Sequence, residues 1–164
     1  MKITFHLDGD VDKLHIPPSC PPRRGDQLWS HTCFETFVAP AGRSSYYEFN
    51  FAPSGEWAAY AFSGYREGGP LDLVRGPAIA VRLTTARLEL ETLVTLDELD
   101  GVAPEAPLRV GVSAVIENQD GTLSYWALRH PPGRPDFHHP DAFALEIGRA
   151  VAADVKDPAG GKAQ

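Results

Sequence analysis

Apolar and polar residues alternate with a period of two along much of the chain, the side-chain repeat of a strand with one face turned to a core. In ITFHL at 3–7, Ile3, Phe5 and Leu7 share one face. LWSHTCFETFV at 28–38 divides into Trp29, His31, Cys33, Glu35 and Phe37 on one parity and Thr32, Phe34, Thr36 and Val38 on the other. YYEFNFA at 46–52 is the clearest alternation, with Tyr47, Phe49 and Phe51 opposed to Tyr46, Glu48 and Asn50. The alanines of EWAAYAFSGY at 56–65 would suit a helix. Trp57, Tyr60, Phe62 and Tyr65 in so short a run, bounded by PSG and GYREGGP, predict a hairpin partner strand instead.

PAIAVRL at 77–83 and ARLELETLV at 86–94 read as strands joined by a tight reversal at Thr84-Thr85. LRVGVSAVIEN at 108–118 places Val110, Val112, Ala114 and Ile116 on one face, and QDG at 119–121 turns it into TLSYWAL. DAFALEI at 141–147 is the last predicted strand. IPPSCPPRRGD is a loop, because prolines lack the donors of a sheet ladder. Thr95 and Glu98 have capping-box spacing for a short helical turn that Gly101 and Pro104 end. Eight to nine short strands with little helix predict an all-β, antiparallel two-sheet β-sandwich or jelly roll, with a closed barrel as the alternative. No helices alternate with the strands as a doubly wound fold requires. A single domain is expected over residues 1–150, followed by a disordered C-terminal tail at 151–164 of Ala, Gly, Lys and Asp without periodicity.

The 164 residues carry a formal charge of −7 and no basic run able to follow a phosphate backbone, which disfavours nucleic acid as a partner. No apolar stretch is long enough for a membrane-spanning helix, and KITFHLDGDVDKLH after Met1 is too charged for a secretory leader, so a cytoplasmic protein is expected. Cys20 and Cys33 are too few for a disulfide framework and are expected as reduced thiols. No phosphate-loop, dinucleotide, HExxH, GxSxG or calcium-loop motif occurs at its required spacing.

Candidate chemistry gathers in three places. Glu35, Glu48 and Glu117 lie within predicted strands, where an inward carboxylate needs a partner; Arg66, Arg82, Arg109 and Arg129 are available. Glu35 shares parity with Trp29 and Phe37, which suggests a polar pocket on one sheet surface, and exposed carboxylates or a structural Glu–Arg pair explain the same pattern. Glycoside hydrolysis would need two carboxyls at a defined separation, which the sequence does not fix, so no catalytic residue is assigned. Trp29, Trp57 and Trp126 with five tyrosines suit either a core or a sugar-stacking surface. Tyr125 and Trp126 must point to opposite sides of a regular strand. RHPPGRPDFHHPD, with His130, Asp136, His138, His139 and Asp141, has the residue types of a metal site; a loop crossing one end of the sandwich accounts for them equally.

Together, LWSHTCFETFV, YYEFNFAPSGEWAAYAFSGYR and SAVIENQDGTLSYWALRHPPGRPDFHHPDAFAL resemble the bacterial DOMON-like domains, relatives of the type 9 carbohydrate-binding modules, over residues 28–146. The resemblance implies a jelly-roll or immunoglobulin-like sandwich that binds sugars or haem. Haem members of the wider group hold iron with a methionine and a histidine; the only methionine here is Met1, with His31, His130, His138 and His139 as other ligands. Sugar modules of type 9 clamp their ligand between tryptophans and carry an acidic calcium run, and no such run is evident here.

The resulting expectation is a non-catalytic small-ligand binding domain for a carbohydrate or related polar ligand, acting through Trp29, Glu35, Glu48, Asn50, Arg66, Trp126 and His130. No cofactor is assigned; haem or a divalent metal, the latter at His138, His139 and Asp141, is the alternative. A haem-binding electron-transfer domain and a protein-interaction module are the competing functional readings, and no membrane or nucleic-acid partner is expected.

Overall fold

The computed structural model describes residues 1–103 and 106–148. The tail expected at 151–164 lies outside the described residues. Two sheets face each other. The smaller has the order β1 (Lys2–Asp8), β8 (Arg87–Leu93), β7 (Ala78–Leu83). The larger runs β10 (Leu123–Ala127), β9 (Leu108–Glu117), β3 (Cys33–Pro40), β4 (Tyr46–Phe51), β5 (Glu56–Gly64), β2 (Arg23–Arg24), with β11 (Leu145–Ile147) also on β9 and β6 (Glu67–Pro70) also on β5. The all-β sandwich read from the alternation is therefore present. The described residues hold eleven strands. Nine are those of the sequence pattern; β2 and β6 are too short and too rich in Arg, Gly and Pro to show a period. All pairings are antiparallel except the two-residue β2–β5 contact. No helix among the described residues is long and apolar enough to cross a membrane.

The inter-sheet core follows from parity. Phe5, Leu88 and Leu90 from the small sheet meet Phe34, Val38, Tyr47, Phe49, Phe51, Val110 and Ile116 from the large one. Leu96, Leu99 and Val102 close one end of it. On the outer face of the small sheet, Lys2–Glu91, Arg82–Glu89 and Arg87–Asp8 form solvent-exposed ion pairs that contribute little stability each. Segment 95–103 makes turns rather than the short helix the capping-box spacing predicts. Glu98 instead accepts the Val74 N–H at 2.9 Å and pairs with Arg75 at 3.0 Å, so its carboxylate is used across the chain and not at a local cap.

The predicted strand over 28–38 begins only at Cys33. Leu28–Ser30 forms a 3-10 turn entered through Gln27 in the left-handed region (φ 50°), with the Ser30 hydroxyl donating to the Gln27 carbonyl at 2.7 Å. Trp29 is thus displayed by a turn above the sheet. In the β9–β10 hairpin Gly121 has φ 81° and Asp120 accepts the Thr122 N–H, the device expected of the Asp-Gly pair. Cys20 and Cys33 are free, and Cys33 is buried.

Every residue of β3 and β4 is buried, although only one face of each meets the small sheet. Their other face is covered by the segment that follows β10. His138 packs its ring on Phe37 and Phe62 (centroids 5.2 Å for each), and Phe143 packs on Phe37 and Tyr46 (5.8 and 5.4 Å). This second apolar layer gives the outer face of the large sheet a roof at one end and leaves it open beside Trp29.

Candidate functional site

An open cavity of about 400 Å³ lies under that roof. Its floor is the outer-parity row of the large sheet. Glu35 on β3 stands opposite Asn50 and Ser113, while Glu48 on β4 stands opposite Phe37 and Tyr60. The two glutamates are therefore diagonal cross-strand neighbours, roughly 7–8 Å apart at the backbone. Trp29 and Tyr60 meet edge to face at 5.9 Å on one side, and Tyr125 and Phe137 approach at 6.3 Å on the other. Phe62, Arg66, Pro135 and His138 complete the walls.

Both carboxyls are almost wholly buried, at 3% and 5% residue exposure. Among the described residues neither has a lysine or arginine within ion-pair distance. Glu35 accepts from the Ser113 hydroxyl at 3.1 Å, and Glu48 accepts from the Asn50 amide at 2.7 Å. Burial, with the Glu48 charge adding to it, raises the Glu35 pKa to about 8. Burial raises Glu48 to about 7 against the opposing pull of Asn50 and Arg66. At neutral pH Glu35 is a carboxylic acid and Glu48 is near its midpoint, so the floor offers hydroxyl donors as well as acceptors. Burial and Glu35 hold the Cys33 thiol well above its ordinary range, so it is an inert part of the apolar cluster with Leu28, Ala52 and Ala58.

The roof is held by a polar relay. The Arg66 N–H donates to the Tyr46 hydroxyl at 3.1 Å, and that hydroxyl lies 2.8 Å from His138 Nδ1. The other ring nitrogen, Nε2, stands 3.6 Å from the Glu48 carboxyl, so the imidazole bridges the Tyr46 hydroxyl and the cavity floor. Burial, with Arg66 nearby, depresses His138 to about 4, so this contact joins a neutral imidazole to the carboxyl at physiological pH. Asp136 accepts from the Tyr65 hydroxyl (2.6 Å), Arg66 (2.8 Å) and the His138 N–H (3.1 Å). Partial burial opposes ionisation there, and the Tyr65 and Arg66 hydrogen bonds outweigh it, holding Asp136 below its ordinary range. Among the described residues, the two non-glycine residues with positive φ are Gln27 and Arg66 (57°): one opens the turn that presents Trp29 and the other turns a guanidinium into the wall.

Of the residues singled out in the sequence, Trp29, Glu35, Glu48 and Arg66 line this cavity, and Asn50 lies beneath it as the partner of Glu48. His130 stands outside the lining, its ring 6.1 Å from Phe137. Trp126 faces the other way. It projects, 64% exposed, over a larger cleft of about 730 Å³ along the seam between the sheets, lined by Phe5, Leu14, Phe34, Ile116 and Leu128. That cleft is mostly apolar and has no buried titratable group. Tyr125, not Trp126, is the β10 residue of the polar cavity because it pairs with Val115, which shares parity with Ser113. The register of the Asp-Gly hairpin was the signal that could have chosen between them. Tyr60 and Phe62 were equally legible from the parity of β5; Phe137 and Asp136, on an irregular loop, were not.

His138, His139 and Asp141 do not converge. His138 turns into the roof, whereas His139 Nδ1 accepts the Asp141 N–H at 3.2 Å and caps the 3-10 turn Pro140–Ala142. Adjacent positions on extended chain send their side chains apart. A methionine–histidine pair for haem is not assembled either: Met1 packs against the inter-sheet core, while His138 lies beyond the large sheet. A different triad does converge. His15 and His31 both direct Nδ1 at Glu117 Oε2, at 2.9 and 2.7 Å. Those two hydrogen bonds, His15 first, hold the Glu117 carboxyl below its ordinary range.

No protein-family model matches the chain, and no curated protein matches its sequence. Among solved structures, it is similar to a "putative carbohydrate-binding protein" from Bacteroides uniformis, with a TM-score of 0.54 and 14% identity. The match covers 86% of this chain and 67% of the other. At that identity the shared property is the fold.

Proposed function

We propose that the outer-face cavity binds a small carbohydrate or related polar ligand without transforming it, and that the chain is a DOMON-like binding domain. One observation carries the reading: a single cavity sets Trp29, Tyr60, Tyr125 and Phe137 around Arg66 and two buried glutamates that have no lysine or arginine ion pair among the described residues. A pyranose presents apolar C–H faces to rings and hydroxyls to polar groups. A protonated Glu35 beside Glu48 can both donate to and accept from such hydroxyls. The fold shared with the Bacteroides uniformis protein agrees with this reading.

Isothermal titration against mono- and disaccharides and cell-wall sugar fragments tests it. At least one sugar is expected to give saturable heat and a thermal shift, and Trp29→Ala, altering a half-exposed ring on a surface turn, is expected to weaken binding about tenfold or more with the fold intact. Absence of heat and thermal shift across the whole panel would overturn the proposal.

A second reading, docking of an apolar partner, is favoured by the seam cleft with exposed Trp126 and Leu128. The two readings separate cleanly, because Trp126→Ala is expected to leave sugar affinity unchanged: its ring lies on the opposite face of the large sheet.

A further inference from the structure

We infer that His15, His31 and Glu117 form a binding site for a divalent transition-metal ion of zinc type. The three come from separate parts of the chain: the loop after the 3-10 turn Val11–Lys13, the end of the turn that carries Trp29, and the last residue of β9. Their ligand atoms all lie within 4.8 Å of one another. Both imidazoles present the same nitrogen, Nδ1, to one carboxylate oxygen.

The backbone beneath is built to hold them there. The His15 N–H donates to the Glu117 carbonyl at 2.8 Å, Leu14 bridges to Asn118, and the Gln119 N–H donates to the Lys13 carbonyl at 2.9 Å. The hydroxyl of Thr32, a residue 1% exposed, donates to the His15 carbonyl and accepts the Glu117 N–H, each at 3.1 Å. That one hydroxyl ties together the segments bearing all three ligands, so the triad is set by main chain rather than by chance approach of surface side chains.

The chemistry selects the ion. Two neutral imidazoles and a carboxylate suit zinc and its neighbours, whereas calcium and magnesium prefer all-oxygen sets. Ligand atoms about 2.0–2.1 Å from a tetrahedral ion stand roughly 3.3 Å apart. The contacts of 2.7 and 2.9 Å need to open by about half an ångström, which the imidazoles can supply because their side chains are 59% and 54% exposed. Three protein ligands leave a fourth position free. Beside the triad lies a cavity of about 460 Å³ lined by His15, His31, Thr32, Asp26, Gln27 and Glu56, with room for water or an added ligand at that position. The site is separate from the carbohydrate cavity, and the inference does not rest on sugar binding.

Untagged protein, stripped with a chelator and then freed of it, is titrated with Zn²⁺ by calorimetry and with Co²⁺ by visible absorption. One equivalent of Zn²⁺ is expected to bind and raise the melting temperature, and Co²⁺ is expected to develop intense four-coordinate bands. Replacing both histidines (His15→Ala with His31→Ala) is expected to weaken Zn²⁺ binding about 100-fold while far-UV circular dichroism stays unchanged, and Glu117→Gln is expected to weaken it about tenfold. Mg²⁺ and Ca²⁺ should give no heat. Absence of Zn²⁺ binding by the stripped wild type, or binding that survives the double substitution undiminished, would overturn the inference.

Discussion

Raising the pH from 5 to 9 is expected to lower the unfolding free energy by on the order of 5 kcal/mol, with most of the loss traceable to two residues. Glu35 and Glu48 have ordinary pKa values of 4.5 and folded values of about 8 and 7. Above pH 4.5 the unfolded chain has released both protons while the folded chain keeps them, so the native state binds more protons and stability falls as pH rises. Their contribution is fully present below 4.5, declines through 7 for Glu48 and 8 for Glu35, and then levels off. His138 works in the opposite sense: folded, it titrates near 4 instead of 6.5, so between those values the unfolded state binds the extra proton and stability rises with pH. The histidine therefore blunts the decline below pH 6.5, and the loss is steepest at about pH 6.5–7 and continues through 8.

Chemical denaturation at pH 5, 7 and 9 measures this profile. In a domain of this size the loss corresponds to roughly 10–20 °C in melting temperature. Glu35→Gln keeps the shape and donor capacity of the protonated acid but cannot ionise. It is expected to be nearly neutral at pH 5 and stabilising by about 4–5 kcal/mol at pH 9, removing the larger part of the slope. A profile flat between pH 6.5 and 8, or a variant with the wild-type slope, would mean that the carboxyls are hydrated in solution and that the cavity floor is not dry.

How far the sequence discloses this site depends on which residues obey a period. Tyr46, Glu48 and Asn50 opposed to Tyr47, Phe49 and Phe51 is a parity statement, and the structure keeps it; Glu35 and Phe37 follow in the same way on β3. Sequence parity also separates Tyr125 from Trp126, but which of them shares a face with Glu35 depends on the register of the Asp-Gly hairpin, which pairs Tyr125 with Val115 and Trp126 with Ala114. Trp29 lines the same cavity as Glu35 although it sits on a 3-10 turn ending at Ser30 and not on the strand predicted over 28–38. The His15–His31–Glu117 triad left no local signal at all. Its members are 16 and 86 positions apart, and a residue between strands has no period to announce its neighbour. The roof was illegible for the same reason: proline fixes backbone angles in 129–144 but does not say what the loop packs on.

That roof yields the second large expectation. Phe37→Ala should cost about 3–5 kcal/mol, the usual range for deleting a buried aromatic ring, since Phe37 is 1% exposed. The loss should also be structured. Phe37 is the surface on which His138, Phe143 and Tyr46 rest, at centroid distances of 5.2, 5.8 and 6.4 Å, and it belongs to the outer layer and not to the inter-sheet core. Its removal takes the support from beneath the loop that contributes Pro135, Phe137 and His138 to the cavity. Phe49→Ala is the matched control: that ring is fully buried in the inter-sheet core and should cost a similar amount. Hydrogen exchange distinguishes the two. The amides of His139, Ala142, Phe143 and Ala144, bonded within the loop, should exchange faster in Phe37→Ala by a larger factor than global destabilisation explains, while Phe49→Ala should accelerate them only through global unfolding. Equal acceleration in both variants would show that the loop shares the cooperativity of the sandwich. The cavity walls would then be as rigid as its floor, and ligand entry would proceed past Trp29 and Tyr125 rather than by loosening of the roof.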